Sequence, residues 1–310
     1  MDPSIRPLPA NTYRGRFAPS PTGSLHFGSI VCAVSSFLQA RCQQGDWLVR
    51  IEDIDPPREV AGSADQILST LETLGLNWDG DVLYQSTRLE AYEYALEQLR
   101  RNNAIYRCQC SRKIIISAQK NATNKIYPGT CKINPLSPNT KNTAIRVNVS
   151  PCRIQFTDTI QGPFSQLLHK EVGDFILKRA DGLIAYQLAV VVDDAYQNIT
   201  EIVRGADLLG NTPRQIYLQD LLGLRQLNYS HLPLAVDHTG VKISKSTYST
   251  SVDVKKPVET IFSALNFLGQ NPPKELLNDT LSTIWQWAIK NWDINKIPPI
   301  KQKPIINTAS

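Results

Sequence analysis

The sequence has no uninterrupted apolar stretch approaching the roughly 18 residues of a membrane span. Its opening, MDPSIRPLPANTYRGRF, has no apolar core of signal-peptide length. Membrane insertion and secretion are therefore not expected, and a cytoplasmic chain is. There is no internal repeat and no long low-complexity tract. A large charge excess is absent too: the net charge of +5 is compatible with nucleic-acid contact but too small to establish it. What remains is an ordinary globular composition. At 310 residues, 42% hydrophobic and 20% charged, the chain can bury a full core in one large domain or two smaller ones. Its cysteines are Cys32, Cys42, Cys108, Cys110, Cys131 and Cys152. Without a secretory signal they read as thiols or metal ligands, not disulfides.

Local pattern predicts alternating strands and helices at the start. Tyr13–Ala18 reads as a strand entering the turn Pro19-Ser-Pro-Thr-Gly-Ser24, where two prolines and a glycine stop regular structure. Ile30, Val34, Phe37, Leu38 and Arg41 then stand at helical spacing, and Trp47–Ile51 reads as a short buried strand. Ser63-Ala-Asp-Gln66 and Thr87-Arg-Leu-Glu90 both have capping-box spacing, the first opening a helix that stops at Gly75. The alternation predicts an α/β fold with a parallel, doubly wound sheet. From Ile105 the texture changes to cysteines, polar residues and isolated strands such as Ala144–Val149, which predicts an inserted module. Apolar runs at Phe175–Lys178, Leu183–Val192 and Thr200–Val203 and a helical pattern over Thr212–Leu222 are expected to complete the sheet domain. Helical runs around Ile261 and Ile284 and a polar Pro/Lys tail follow. The expected division is a catalytic domain in two halves, 1–104 and 173–255, an inserted module over 105–172, and a short helical region over 256–310.

Two segments carry the chemistry. In Pro19-Ser-Pro-Thr-Gly-Ser-Leu-His26-Phe-Gly28-Ser29 a rigid turn, a histidine and a glycine meet at a strand-to-helix junction. Unpaired backbone N–H groups and the positive helix end suit a phosphate there, and Gly28 lets a nucleotide approach the backbone. The plainer reading is a Pro/Gly turn with a satisfied histidine. Val241-Lys242-Ile243-Ser244-Lys245-Ser246 puts two lysines on a polar loop, either a solvated surface or a device for stabilising charge at a phosphate transition state.

His26-Phe-Gly-Ser29 resembles the HIGH signature, and Lys242-Ile-Ser-Lys-Ser246 the KMSKS signature, of class I aminoacyl-tRNA synthetases. Gly15-Arg-Phe-Ala-Pro-Ser-Pro-Thr-Gly23, Arg50-Ile-Glu-Asp53, Val190-Val-Val-Asp-Asp194 and Thr200-Glu-Ile-Val-Arg-Gly-Ala-Asp207 narrow the resemblance to the glutamyl-tRNA synthetase family over roughly residues 13–250. Two departures stand out: His-Phe-Gly-Ser replaces the usual His-Ile-Gly, and only 64 residues follow Ser246 (310 minus 246). That remainder is too short for the helical anticodon-binding region of such synthetases. The shortened form, with Arg50-Ile-Glu-Asp-Ile-Asp-Pro-Pro-Arg58, resembles the branch of the family that attaches glutamate to queuosine, the modified wobble base of tRNA(Asp).

The resemblance implies a Rossmann-like catalytic domain that forms glutamyl-adenylate without tRNA. His26 and Lys245 would contact the phosphates, with Gly28, Ser29, Lys242 and Ser244 completing the ATP site. Adenylate formation needs no enzyme nucleophile, because the substrate carboxylate itself attacks the α-phosphorus, so positioning and charge stabilisation carry the catalysis. Magnesium would arrive with ATP. Glutamate, with two carboxylates and one ammonium, calls for guanidinium donors and one acid: Arg16, Arg204, Glu52 and Tyr186, with Ala18 and Ser20 from the turn. The alternative for each charged residue is a structural ion pair, and which arginine takes the side-chain carboxylate stays open. Cys108-Gln-Cys110, Tyr127 and Cys131 form a C-x-C…Y-x-x-x-C array that suits one structural zinc. The spacing alone leaves tyrosine, water or a distant histidine as the fourth ligand; the resemblance implies Tyr127. Cys32, Cys42 and Cys152 are expected to be packing residues, and the protein a monomer. Competing functions are a short synthetase charging a tRNA 3′ end, a noncatalytic tRNA-binding paralogue, and an adenylyltransferase for a small metabolite.

Overall fold

The computed structural model describes residues 12–117, 126–237 and 255–305. Its first half is a parallel sheet in the order β1-β2-β3, made of β1 (Arg14–Phe17), β2 (Asp46–Ile51) and β3 (Leu83–Tyr84). Parallel strands need crossovers, which α1 (Phe27–Cys42) and α2 (Ser63–Thr73) supply. Helix α1 buries residues on every face, Ile30, Val34, Phe37 and Leu38 among them, because it lies between the sheet and the C-terminal helices. Trp47 of β2 meets Phe37 edge-on at 5.3 Å and donates its indole N–H to Ser36 Oγ at 2.9 Å.

After α3 (Leu89–Arg101) the pairing changes sense. β4 (Ile105–Cys108), β5 (Ala144–Val147) and β8 (Ile176–Lys178) form an antiparallel sheet in the order β4-β5-β8. β6 (Arg153–Asp158) and β7 (Gly162–Leu167) form a hairpin. Short helices α4 (Arg112–Ser117), α5 (Thr130–Ile133) and α6 (Leu168–Glu171) complete this segment. The run Phe175–Lys178, expected to resume the parallel sheet, instead closes the antiparallel one through β5.

The second half comprises α7 (Tyr186–Tyr196), β9 (Glu201–Gly205), α8 (Thr212–Leu222) and β10 (Asn228–Leu232), with β9 and β10 parallel. β9 lies beside β1: Thr200 N–H donates to Arg14 O, and Arg14 N–H to Thr200 Oγ1, both at 2.9 Å. The strand neighbours thus run outward in both directions from β1 and β9, the kind of junction at which doubly wound sheets bind ligands. β11 (Leu234–Val236), α9 (Pro257–Phe267), α10 (Leu281–Asn291) and β12 (Gln302–Pro304) follow, and β12 pairs parallel with β11. That strand in the polar tail has no alternating pattern to announce it. Among the described residues no helix is long and apolar enough to cross a membrane.

Both capping-box expectations need correction. Ser63 is the first helical residue of α2 instead of its cap; Gly62 caps with φ +74°, and Ser63 Oγ accepts the N–H of Gly23 at 2.8 Å, tying the helix to the turn after β1. Thr87 lies in a 3₁₀ turn over Gln85–Arg88 and donates to Tyr84 O, so Arg88 precedes α3.

Gly75, at φ +73°, ends α2 beneath Trp285, whose indole N–H donates to Leu74 O at 2.9 Å. A Cβ at Gly75 would lie 2.8 Å from Trp285 Nε1, whereas at Gly80 (φ +65°) it would meet none of the described residues within 4 Å. Gly75→Ala is expected to destabilise by about 2–4 kcal/mol, combining left-handed strain with overpacking. Gly80→Ala should cost only the strain, about 1 kcal/mol. Urea unfolding of the two variants checks the difference, and equal losses would contradict it.

Candidate active site

The turn after β1 is fastened to β2 by Glu52 N–H donating to Pro19 O at 3.0 Å. Helix α1 then opens with His26 as its N-cap: the ring Nδ1 accepts Ser29 N–H at 3.2 Å. An imidazole that accepts at Nδ1 is neutral and carries its proton on Nε2. Its ring folds over Gly28, where a Cβ would come within 3.2 Å of His26 Cε1 and 3.3 Å of Nδ1. The same point is 3.9 Å from Ala235 of β11, the strand that precedes the lysine-rich signature. His26, Gly28 and Ser29 are thus brought together at a helix N-terminus that faces β11. Lys242, Ser244 and Lys245 lie outside the described residues.

Beside this junction sits a layer of buried charge. Arg16 of β1 donates from Nε to Asp194 Oδ1 at 3.1 Å, and Arg50 Nη2 lies 2.8 Å from the same oxygen and 3.5 Å from Glu52 Oε1. Arg50 Nη1 donates to Gln197 Oε1 at 2.7 Å. Burial pushes the Asp194 carboxyl up, but the guanidinium groups of Arg16 and Arg50 more than offset it, and the group is held below the usual carboxylate range. Glu52 goes the other way. Its desolvation outweighs Arg50 and Arg16 and raises its pKa to about 6. Tyr186, at the start of α7, feels Arg204, Glu52 and Arg16 together, and burial raises its hydroxyl above the ordinary phenol. Ala18 is half-buried and Ser20 exposed on the turn.

Arg204 of β9 differs from Arg16 in having a neutral partner. Its Nε donates to His231 Nε2 at 3.1 Å and its Nη2 to Thr212 Oγ1 at 2.8 Å, while Nη1 is buried and has no hydrogen-bond partner among the described residues. Arg16 therefore makes the structural ion pair considered as its alternative role, whereas Arg204 keeps a donor in reserve. The motif Val190–Asp194 assigns Asp194 no role, and Asp158 and His231 belong to no motif. The adjacent acids Asp193 and Asp194 at the end of an apolar run were the available signal for the first. Nothing local announces the other two.

The cysteine array also assembles. The Sγ atoms of Cys108, Cys110 and Cys131 lie within 4.8 Å of one another, with Cys110 and Cys131 at 3.5 Å. Tyr127 Oη is 3.7 Å from Cys110 Sγ and accepts Cys131 N–H at 2.8 Å, and Arg146 lies over its ring at 4.0 Å. A tetrahedral zinc with Zn–S near 2.3 Å has ligand edges of about 3.8 Å, so three sulfurs and one oxygen at these separations fit it. Cys32 and Cys152 pack against the two main cores, and Cys42 donates its thiol to Gln39 O.

The parallel sheet, the histidine turn at its central helix and the charged layer define a class I tRNA synthetase catalytic domain. The family model for tRNA synthetases class I (E and Q), catalytic domain, matches residues 12–275. The glutamyl-Q tRNA(Asp) synthetase of Dechloromonas aromatica is 50% identical over 289 residues, covering 92% of this chain and 96% of that protein. Those of Pseudomonas aeruginosa and Thiobacillus denitrificans are 49% and 50% identical, over 93% and 94% of this chain and 96% and 97% of theirs. The chain belongs to this family of ligases. A crystal structure of glutamate-tRNA synthetase from Elizabethkingia anophelis shares the fold, with a TM-score of 0.80 at 24% identity over 96% of this chain and 68% of that one.

A carboxyl raised by burial carries a pH signature. Between its ordinary pKa of 4.5 and its folded value of about 6 the protonated form of Glu52 favours the fold. That contribution is complete below about pH 4.5 and is lost as pH rises through 6, a decline of roughly 2 kcal/mol. Glu52→Gln should remove this decline from the stability-versus-pH curve measured by urea unfolding between pH 4.5 and 7.5. An unchanged curve would show that Glu52 ionises like an exposed acid.

Proposed function

We propose that the protein activates L-glutamate with ATP, without tRNA, and transfers the glutamyl group to queuosine at the wobble position of tRNA(Asp). The observation that carries this reading is the junction of two features. A histidine-capped, glycine-bearing helix start lies beside a buried layer holding both guanidinium groups and a carboxyl, in a chain about half identical to proteins named for this reaction.

In the first step a carboxylate oxygen of glutamate attacks the α-phosphorus of ATP and pyrophosphate leaves. The backbone N–H groups at the start of α1 and the Nε2–H of His26 are suited to phosphate oxygens, and the small Gly28 leaves room for the nucleotide. Lys245, with Lys242 and Ser244, would add positive charge from the second signature. Magnesium accompanies ATP in this family's chemistry and keeps most of its ligands from water and phosphate. Arg204 would offer its unpartnered Nη1 to one substrate carboxylate and Arg16 would support the other, while ionised Glu52 takes the ammonium and Tyr186 adds a hydroxyl. In the second step a hydroxyl of the queuosine ring attacks the adenylate's carbonyl carbon, AMP leaves, and the hydroxyl proton is released. The product is an alkali-labile ester. Unpaired loop bases suit such a transfer because they can be splayed out and held by stacking and hydrogen bonds.

The test supplies purified enzyme with labelled glutamate, ATP and total tRNA from cells with and without queuosine, then maps the label after nuclease digestion. Label is expected on the anticodon nucleoside of tRNA(Asp), only when queuosine is present. Label released with the 3′-terminal nucleotide would instead identify a short synthetase that charges the acceptor end.

Cys108, Cys110, Cys131 and Tyr127 would hold one structural zinc bracing the antiparallel sheet. Zinc bound there would supply folding energy, not a reactive species. Elemental analysis is expected to give one zinc per chain, and Cys110→Ser should lose it and expose the segment around β4 to protease. Protein purified without chelators and free of zinc would overturn this assignment.

A further inference from the structure

Behind Arg204 lies a buried chain of groups for which the proposed chemistry has no use. His231 of β10 has no exposed surface; its Nε2 stands 3.1 Å from Arg204 Nε and 3.2 Å from Thr212 Oγ1, and its Nδ1 2.5 Å from Asp158 Oδ2. Asp158 closes β6. Its other oxygen accepts the N–H groups of Ile160, Gln161 and His231 at 3.0, 2.8 and 3.1 Å. Burial pushes this carboxyl up, but the bonds from His231 and Gln161 more than offset it and hold it below its ordinary value. An ionised Asp158 fixes the histidine tautomer: the proton sits on Nδ1 and the lone pair on Nε2.

Only that tautomer can accept the Nε–H of Arg204. A proton on Nε2 would set N–H against N–H, and a charged ring would stand beside a guanidinium. Burial, and Arg204 itself, oppose charging of His231. Tyr229 backs the arrangement, stacked on His231 at 6.3 Å with Arg204 5.7 Å from its ring. Arg204 is therefore gripped along one edge, by His231 at Nε and Thr212 at Nη2, and the nitrogen without a partner among the described residues is Nη1. The neutral partner matters. A carboxylate in direct contact would orient Arg204 equally well but cancel the positive potential that draws in a substrate carboxylate, whereas an imidazole orients without cancelling.

We propose that Asp158 and His231 are positioning residues that set the tautomer facing Arg204, and so the orientation of its guanidinium toward a carboxylate of glutamate. The proposal rests on Arg204 being a glutamate ligand, as read above.

The full-length protein is assayed by glutamate-dependent ATP–pyrophosphate exchange. Asp158→Asn can turn its amide N–H₂ toward Nδ1, which moves the ring proton to Nε2. It is expected to raise the glutamate KM tenfold or more with the ATP KM within twofold, and ring ¹⁵N shifts should report the switched tautomer. A wild-type glutamate KM in Asp158→Asn, alongside a raised one in Arg204→Ala, would overturn the positioning role and leave the site reading standing. An unchanged glutamate KM in Arg204→Ala would remove the site reading itself. A second pair covers the case in which Asp158→Asn does not fold. His231→Gln can return an acceptor oxygen to Arg204 Nε and should keep the glutamate KM within about threefold, while His231→Leu should raise it as Asp158→Asn does. Equal glutamate KM values in that pair would also overturn the proposal.

Discussion

The two halves of the parallel sheet meet over a single carboxylate. Asp194 lies between Arg16 of β1 and Arg50 of β2, and all three are buried. An uncompensated charge at that depth would cost several kcal/mol, so each member depends on the others being in place. Because Asp194 comes from α7, satisfying it docks the second half of the fold against the first. Its neighbour Asp193 works in another direction. Successive residues on a helix point about 100° apart, and Asp193 accordingly reaches Gln85, Arg88 and Tyr92 instead, fixing the start of α3. Two adjacent acids thus orient one helix against both β1–β2 and α3.

The same layer sets the electrostatics of the site. Arg16, Arg50 and Arg204 supply three guanidinium groups, against the carboxylates of Asp194 and Glu52. Arg16 and Arg50 meet those carboxylates directly, whereas the direct partners of Arg204, His231 and Thr212, are neutral. Glu52 is the softer member. Raised to about 6 by burial, it is mostly ionised at neutral pH but lacks the full pairing that holds Asp194 down. A substrate ammonium beside it would meet an acid not already committed to a strong partner.

The parts of this arrangement legible in the sequence are those made by local chain. Pro19, Pro21 and Gly23 marked the turn after β1, and the apolar stripe from Ile30 marked α1. The C-x-C pair brings two thiols together by local chain alone, whereas Cys131, 21 positions beyond Cys110, was legible by its residue type and not by local spacing. Ser63 misled as a helix cap because its hydroxyl is committed to Gly23, a tertiary contact that no spacing rule foresees. The strand of the polar tail was missed because β12 is chosen by its partner β11. Asp158 and His231 were missed for a related reason. They lie 73 positions apart on strands of different segments, and neither stands in a recognisable motif.

That separation bears on what the antiparallel segment does for the site. Its cysteine cluster lies at the end of β4, but its hairpin reaches the parallel sheet. Thr159 N–H at the hairpin tip donates to Tyr229 O at 2.9 Å, and the Gln161 side chain donates to His231 O and Ile300 O at 2.9 and 3.0 Å. The tip therefore stitches β10 and the chain entering β12 to the end of β6, where Asp158 sits. Because β12 pairs with β11, and β11 lies against the His26–Gly28 turn, the His26 side and the Arg204 side share this anchor. A hairpin whose tip carries both a buried carboxylate and three such tethers cannot be a detachable appendage. Its position is tied to that of Arg204, and a change in the antiparallel segment that shifts the hairpin would reach the charged layer through Asp158 and His231.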